Sequence, residues 1–207
     1  MTSPSVREWR DGGRWLPTAV GKVFVRSGPG DTPTMLLLHG YPSSSFDFRA
    51  VIPHLTGQAW VTMDFLGFGL SDKPRPHRYS LLEQAHLVET VVAHTVTGAV
   101  VVLAHDMGTS VTTELLALDL DGRLPFDLRL AVLSNGSVIL ERASLRPDPE
   151  STAQPAWSGR CPAGQPRWLH TRVWPGSSPS APAVGAGGPS PVGVAVLQRR
   201  QPGSRTC

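Results

Sequence analysis

The sequence predicts an α/β fold built on a parallel sheet that is cut short, and three observations carry that reading. Continuous apolar runs of strand length recur through the first two thirds of the chain, and two of the gaps between them have helical spacing. From about Pro147 onward that patterning gives way to proline, glycine, serine and arginine. Strands alternating with helices are joined by right-handed crossovers, which makes the strands parallel and covers the sheet on both faces.

Val20 to Val25 alternates as a half-buried strand does, and Ser27-Gly28-Pro29-Gly30-Asp31 reads as a turn. Met35 to Leu38 is apolar without alternation, so both of its faces must be covered. Ala59 to Met63, Val100 to Leu103 and Leu128 to Leu133 are further buried runs rich in Val, Leu or Ala. Leu81 to Val96 follows Ser80, a candidate N-cap with Glu83 three residues on, and places Leu82, Ala85, His86, Glu89, Val92 and Val96 at helical spacing. Ser110 to Leu120 is the second helix. Residues 1–146 thus form a partial domain, and residues 147–207, with about half of the chain's 20 prolines, form a low-complexity tail. A tail of that composition buries too little apolar surface to offset its ordering entropy, so disorder is expected.

The formal charge of +3 and the pI near 9.3 do not point to a nucleic-acid partner. The excess arginines lie largely in the tail, where Asp148 and Glu150 are the only acids, and no arginine cluster is interleaved with aromatics. Cys161 and Cys207 both lie in the tail without metal-ligand spacing, and no metal or cofactor is expected. The charged N-terminus lacks a signal peptide's apolar region, and no run approaches a membrane span's roughly 20 apolar residues. A cytoplasmic location is the default, with a small-molecule substrate as the expected partner.

The chemistry concentrates in Val102 to Ser110, where a buried strand runs without a loop into a helix. So sharp a turn needs small residues around its apex, here Ala104, Gly108 and Thr109. The apex residue, Asp106, would sit at the C-terminal edge of the sheet and near a helix N-terminus, where an anion is favoured and open α/β sheets bind ligands. The plain alternative is an aspartate that only caps the helix.

This turn resembles the nucleophile elbow of α/β-hydrolases. Its His-Asp-x-Gly form resembles the aspartate-nucleophile branch, which includes epoxide hydrolases and haloalkane dehalogenases; no Gly-x-Ser-x-Gly occurs in the chain. Two further motifs follow in matching order. Leu38-His39-Gly40-Tyr41-Pro42 resembles the His-Gly-x-Pro oxyanion loop, and the resemblance implies that the N–H groups of Tyr41 and Met107 point at developing negative charge. Asp64 to Pro74 resembles the loop that follows the next strand in the same family. The stretches Asp64 to Tyr79, Leu81-Leu82-Glu83-Gln84-Ala85 and Leu133-Ser134-Asn135-Gly136 resemble hydrolases of the mesoderm-specific-transcript type.

The mechanism this implies is a two-step hydrolysis. Asp106 attacks an electrophilic carbon to form an ester, and a histidine-activated water then cleaves it. Here the chain departs from the family pattern, in which the histidine and an orienting acid follow later strands beyond a cap domain. No cap helices are recognisable, and His170, the only later histidine, has no strand before it. His39 and His105 read as structural hydrogen-bonding residues, and Asp64 and Asp72 as loop fixtures. Tyr41 and Met107 stand where a dehalogenase would be expected to have Asn and Trp, which disfavours halide release, and no tyrosine after Tyr79 could serve as a cap acid. An epoxide-hydrolase-like enzyme and a catalytically silent fragment or binding module both stay open. The compositional switch near Pro147 is what a shifted reading frame produces; a genuine low-complexity tail is the other reading.

Overall fold

A computed structural model of the chain describes residues 4–136, 172–173 and 194–198. A short helix, α1 (Val6–Asp11), precedes the hairpin of β1 (Arg14–Thr18) and β2 (Gly21–Gly28). Then follow β3 (Asp31–Leu38), two 3-10 turns (Ser45–Ala50 and Ile52–His54), β4 (Gln58–Met63) and α2 (Leu81–Thr95). The series ends with β5 (Val100–His105), α3 (Met107–Leu120), β6 (Leu128–Ser134), and the short strands β7 (Arg172–Val173) and β8 (Val194–Gln198).

The strands form one sheet in the order β1-β2-β4-β3-β5-β6-β8-β7. The four central strands, β4-β3-β5-β6, are parallel, and the flanking strands pair antiparallel. Crossovers within the parallel set put the strand ends in register: Leu38 lies opposite both Met63 and Ala104, and His105 opposite Ser134. The loops that begin at His39, Asp64, Asp106 and Asn135 therefore emerge together at one edge.

Most of the core lies on one face of the sheet. Leu36, Leu38, Val61, Met63, Val102, Ala104, Ala131 and Leu133 pack with Val88, Val91, Val92, Val111 and Leu115 of α2 and α3. On the other face Phe24 and Leu37 are fully buried, alongside buried Trp9 of α1 and Phe48 of the first 3-10 turn. The cover thins toward β6. Leu103 shares a face with Leu37 and Val132 by register, yet Leu103, Val101, Leu130 and Val132 are only half-buried.

Several expectations shift in detail. Helix α3 begins at Met107, three residues before Ser110, because Asp106 is itself the N-cap. Helix α2 buries Gln84, Ala85, Leu87, Val88, Val91 and Val92; Leu82 and His86 are exposed, so the buried face is rotated from the one the apolar spacing suggested. Ser80 caps Glu83 N–H as expected, but the Glu83 carboxylate accepts from His77 Nε2–H at 2.7 Å and does not close a capping box. The full capping box is at α1, between Ser5 and Glu8, a helix whose six residues are too few for a periodic signal. Strand β2 also runs on through Ser27 and Gly28, where a turn was expected. Apart from β7 and β8, the expected low-complexity tail lies outside the described residues.

The loop after β4 owes its shape to one carboxylate. Asp64, 1% exposed, accepts from Ser45 N–H at 2.7 Å through Oδ1 and from Leu70 N–H at 2.6 Å through Oδ2, while its carbonyl accepts from Ser71 Oγ. Asp72 Oδ2 ties the loop's far end to Lys22 N–H at 2.7 Å. Both aspartates are thus spent on structure. Replacing Asp64 by alanine strands two N–H groups, each costing about 1–3 kcal/mol when left unpaired. Asp64→Ala should lower stability in urea unfolding by roughly 3 kcal/mol or more, on the order of two such penalties. An unchanged midpoint would show that the loop does not depend on this carboxylate.

Candidate active site

The edge where the four loops emerge brings together all five residues singled out from the sequence: His39, Gly40, Tyr41, Asp106 and Met107. The close approach starts at Gly108. A Cβ there would come within 2.5 Å of Leu38 O and 2.8 Å of His39 O, so only glycine lets α3 begin against the end of β3. Gly40 serves the same end from the other side, since a Cβ on it would lie 2.6 Å from Asp106 Cβ.

Asp106 is held in an unusual backbone conformation, φ 50° and ψ −117°, a region that costs a non-glycine residue about 1–3 kcal/mol. The surrounding bonds explain why it persists. Asp106 N–H donates to Ser134 O at 3.0 Å, and its carbonyl accepts from Thr109 N–H at 2.9 Å and Thr109 Oγ at 2.6 Å. Thr109 is buried, and a Cβ on Gly136 would collide with its Oγ, so the loop after β6 closes over the same point.

The carboxylate is held asymmetrically. Oδ1 accepts from Tyr41 N–H at 2.9 Å and from Met107 N–H at 2.5 Å. No hydrogen bond from the described residues reaches Oδ2. Bonds from N–H to a charged acceptor are worth about 1.5–3 kcal/mol each, so two of them outweigh the backbone strain at Asp106. The arrangement fixes one oxygen between two backbone donors and leaves the other unbonded. It goes beyond a simple cap, in which the side chain would accept from the helix's own N–H groups alone. Tyr41 itself is 69% exposed and meets Phe68 edge-on, with ring centroids 6.0 Å apart.

His39 lies beneath this cradle, fully buried. Its Nδ1–H donates to Gly40 O at 2.8 Å and its Nε2 accepts from Phe65 N–H at 3.0 Å. One neutral tautomer satisfies both bonds; a second ring proton would face Phe65 N–H. The ring also packs against Phe65 and Phe68. It thus joins the Gly40 loop to the Asp64 loop as a structural residue.

Sequence reasoning did not assign the roles of Gln84, Ser134, Thr109 and Gly136. Gln84, 2% exposed, accepts from Leu66 N–H and donates to Leu66 O, both at 3.0 Å, and so clamps the loop after β4 to α2. Its one signal was an amide beside the apolar positions of α2. Ser134 acts through its carbonyl and Gly136 through its lack of a side chain, roles that the Leu133-Ser134-Asn135-Gly136 pattern does not specify. Among the described residues no group of three His, Cys, Asp or Glu side chains could hold a metal ion, and no helix is long and apolar enough to cross a membrane.

Burial lowers the pKa of His39 below its usual 6.5; the bond to Gly40 O and the charges of Asp64 and Asp47 oppose that shift and are outweighed. In the unfolded chain the ring takes up a proton below about pH 6.5, while the folded chain resists it, so stability is lost as pH falls from there toward the lowered value. Urea midpoints should decline between neutral pH and pH about 5.5, and His39→Gln should flatten that slope. NMR should show the His39 ring still neutral at pH 6.5, and a ring that is half charged there would refute the burial argument.

The comparisons with known proteins agree with this architecture. LipZ of Mycobacterium tuberculosis (strain H37Rv) is 99% identical over 147 residues, which are 71% of this chain and 51% of that protein. The bovine mesoderm-specific transcript homolog protein is 36% identical over 149 residues, 67% of this chain and 44% of the relative. Haloalkane dehalogenase 2 of Mycobacterium tuberculosis (strain H37Rv) is 37% identical over 83 residues, 39% of this chain and 28% of the relative. The chain spans about half the length of the first of these relatives and less of the others. The family profile described as alpha/beta hydrolase fold matches residues 33–154, which include β3, the Asp64 loop, the Asp106 turn and β6, and the chain belongs to that family.

Proposed function

We propose that this chain carries the nucleophilic half of an aspartate-dependent hydrolase of the epoxide-hydrolase-like type. The observation that carries the reading is the asymmetric hold on Asp106: Oδ1 fixed by two backbone N–H groups and Oδ2 without a hydrogen bond among the described residues. A carboxylate needs no base to attack. Oδ2 bonds to an electrophilic ring carbon, the C–O bond of the epoxide breaks, and its electron pair goes to the oxygen, which takes a proton from water. The product is an ester on Asp106 in which Oδ1 is the carbonyl oxygen. Attack of water on that ester carbonyl places negative charge on Oδ1, where Tyr41 N–H and Met107 N–H already point. The two donors thus serve the second step more than the first.

Breakdown of the ester also needs a base. Both ring nitrogens of His39 are engaged in structural bonds, and among the described residues no histidine is hydrogen-bonded to Asp106. This favours, as a second reading, a chain that performs the first step and then stalls. Both readings take a small electrophile as substrate and need no cofactor, and Met107 offers no side-chain donor to a halide.

Incubation with styrene oxide followed by peptide mass spectrometry decides between them. An adduct on the peptide carrying Asp106 is expected, accumulating to one per chain and absent in Asp106→Ala. Release of diol over many turnovers would replace the stalled reading with a complete enzyme. A folded chain that takes up no label would leave Asp106 as a helix cap alone.

A further inference from the structure

Phe68 belongs to two places at once. Its ring meets that of Tyr41, the residue whose N–H holds Asp106, and it also lines a shallow depression of about 230 Å³ with Gly67, Lys73, Arg75 and Tyr79. None of these lining residues bonds to Asp106, so the depression adjoins the nucleophile's cradle without being part of it.

The chemistry of its lining is selective. Phe68 and Tyr79 supply flat apolar surface, and Tyr79 is 42% exposed. Gly67, at φ 93°, lets the loop run close under the Tyr79 ring, which a Cβ there would approach to 2.8 Å. Lys73 Nζ is spent on the loop itself, donating to Gly69 O at 2.7 Å and Ser71 O at 2.9 Å, and Tyr79 OH donates to Pro74 O at 3.0 Å. These bonds fix the walls. Arg75 is exposed and, among the described residues, forms no ion pair and no hydrogen bond. The depression therefore has aromatic walls, a rigid loop and one uncommitted guanidinium at its rim.

We propose that this depression is the specificity subsite for the non-reacting end of the electrophile, and that it takes an aryl group bearing a carboxylate. The ring packs against Phe68 and Tyr79, the carboxylate pairs with Arg75, and the reactive carbon is presented across Tyr41 to Asp106. The reaction part of this proposal rests on the nucleophile reading above; the binding part does not. The ion pair is exposed, so the preference weakens as salt is raised.

The test compares labelling of Asp106 by 4-carboxystyrene oxide and by styrene oxide at low salt. Both epoxides carry the aryl ring, so the carboxylated one should label roughly threefold faster through the exposed charge pair alone. Arg75→Gln should bring the two rates together, and added salt should do the same in the unaltered chain. Equal rates in the unaltered chain, or an advantage that survives Arg75→Gln, would overturn the subsite. If neither epoxide labels Asp106, the nucleophile reading has failed, and binding of 4-ethylbenzoate to Asp106→Asn, followed through the Tyr79 ring resonances, still decides the subsite. Shifts at Tyr79 that Arg75→Gln abolishes support it, and their absence overturns it.

Discussion

The close contact between the start of α3 and the end of β3 is the constraint on which the rest of this structure depends. Gly108 lies so near the carbonyls of Leu38 and His39 that no side chain fits between them. That contact brings the Gly40-Tyr41 backbone to the Asp106 side chain, two segments 65 residues apart in sequence. It also forces the turn to be tight, and the tight turn is what drives Asp106 to a positive φ. The strained residue, the two-donor cradle and the loopless helix start are three consequences of one packing distance.

Around that contact the protein has spent its buried polar groups on holding loops still. His39 bridges the Gly40 and Phe65 backbones, Asp64 gathers Ser45 and Leu70, Gln84 clamps Leu66, and Ser71 Oγ accepts from Phe24 N–H at 2.8 Å. Each replaces a bond to water that burial would otherwise remove, so each loop has one conformation of low energy. Backbone donors positioned in this way need no reorganisation when charge develops in front of them. Two titratable residues of the motif loops, His39 and Asp64, are fully committed to structure.

The sheet is well covered on one face and unevenly on the other. Helices α2 and α3 seal the face of Leu36, Leu38 and Val102, whereas α1 and the 3-10 turns protect only the Phe24 and Leu37 side. Val101, Leu103, Leu130 and Val132 carry the same apolar character as their buried neighbours but remain half-buried.

The four central strands, the two main helices and the position of Asp106 were legible in the sequence, because burial on both faces demands unbroken apolar runs and a strand-to-helix turn demands small residues. The α1 capping box and the β1 strand were not, since each is too short to show a period. The buried face of α2 was misjudged because Leu81 and Leu82 are apolar yet exposed, while Gln84 is polar yet buried against a backbone it satisfies. What only the tertiary structure decided is which oxygen of Asp106 is held, that His39 is fully engaged, and that Phe68 links Tyr41 to a neighbouring depression. These depend on backbone atoms and distances across the sheet edge. A sequence specifies side chains along the chain, and contacts made by main-chain N–H and C=O groups across loops leave almost no mark on it.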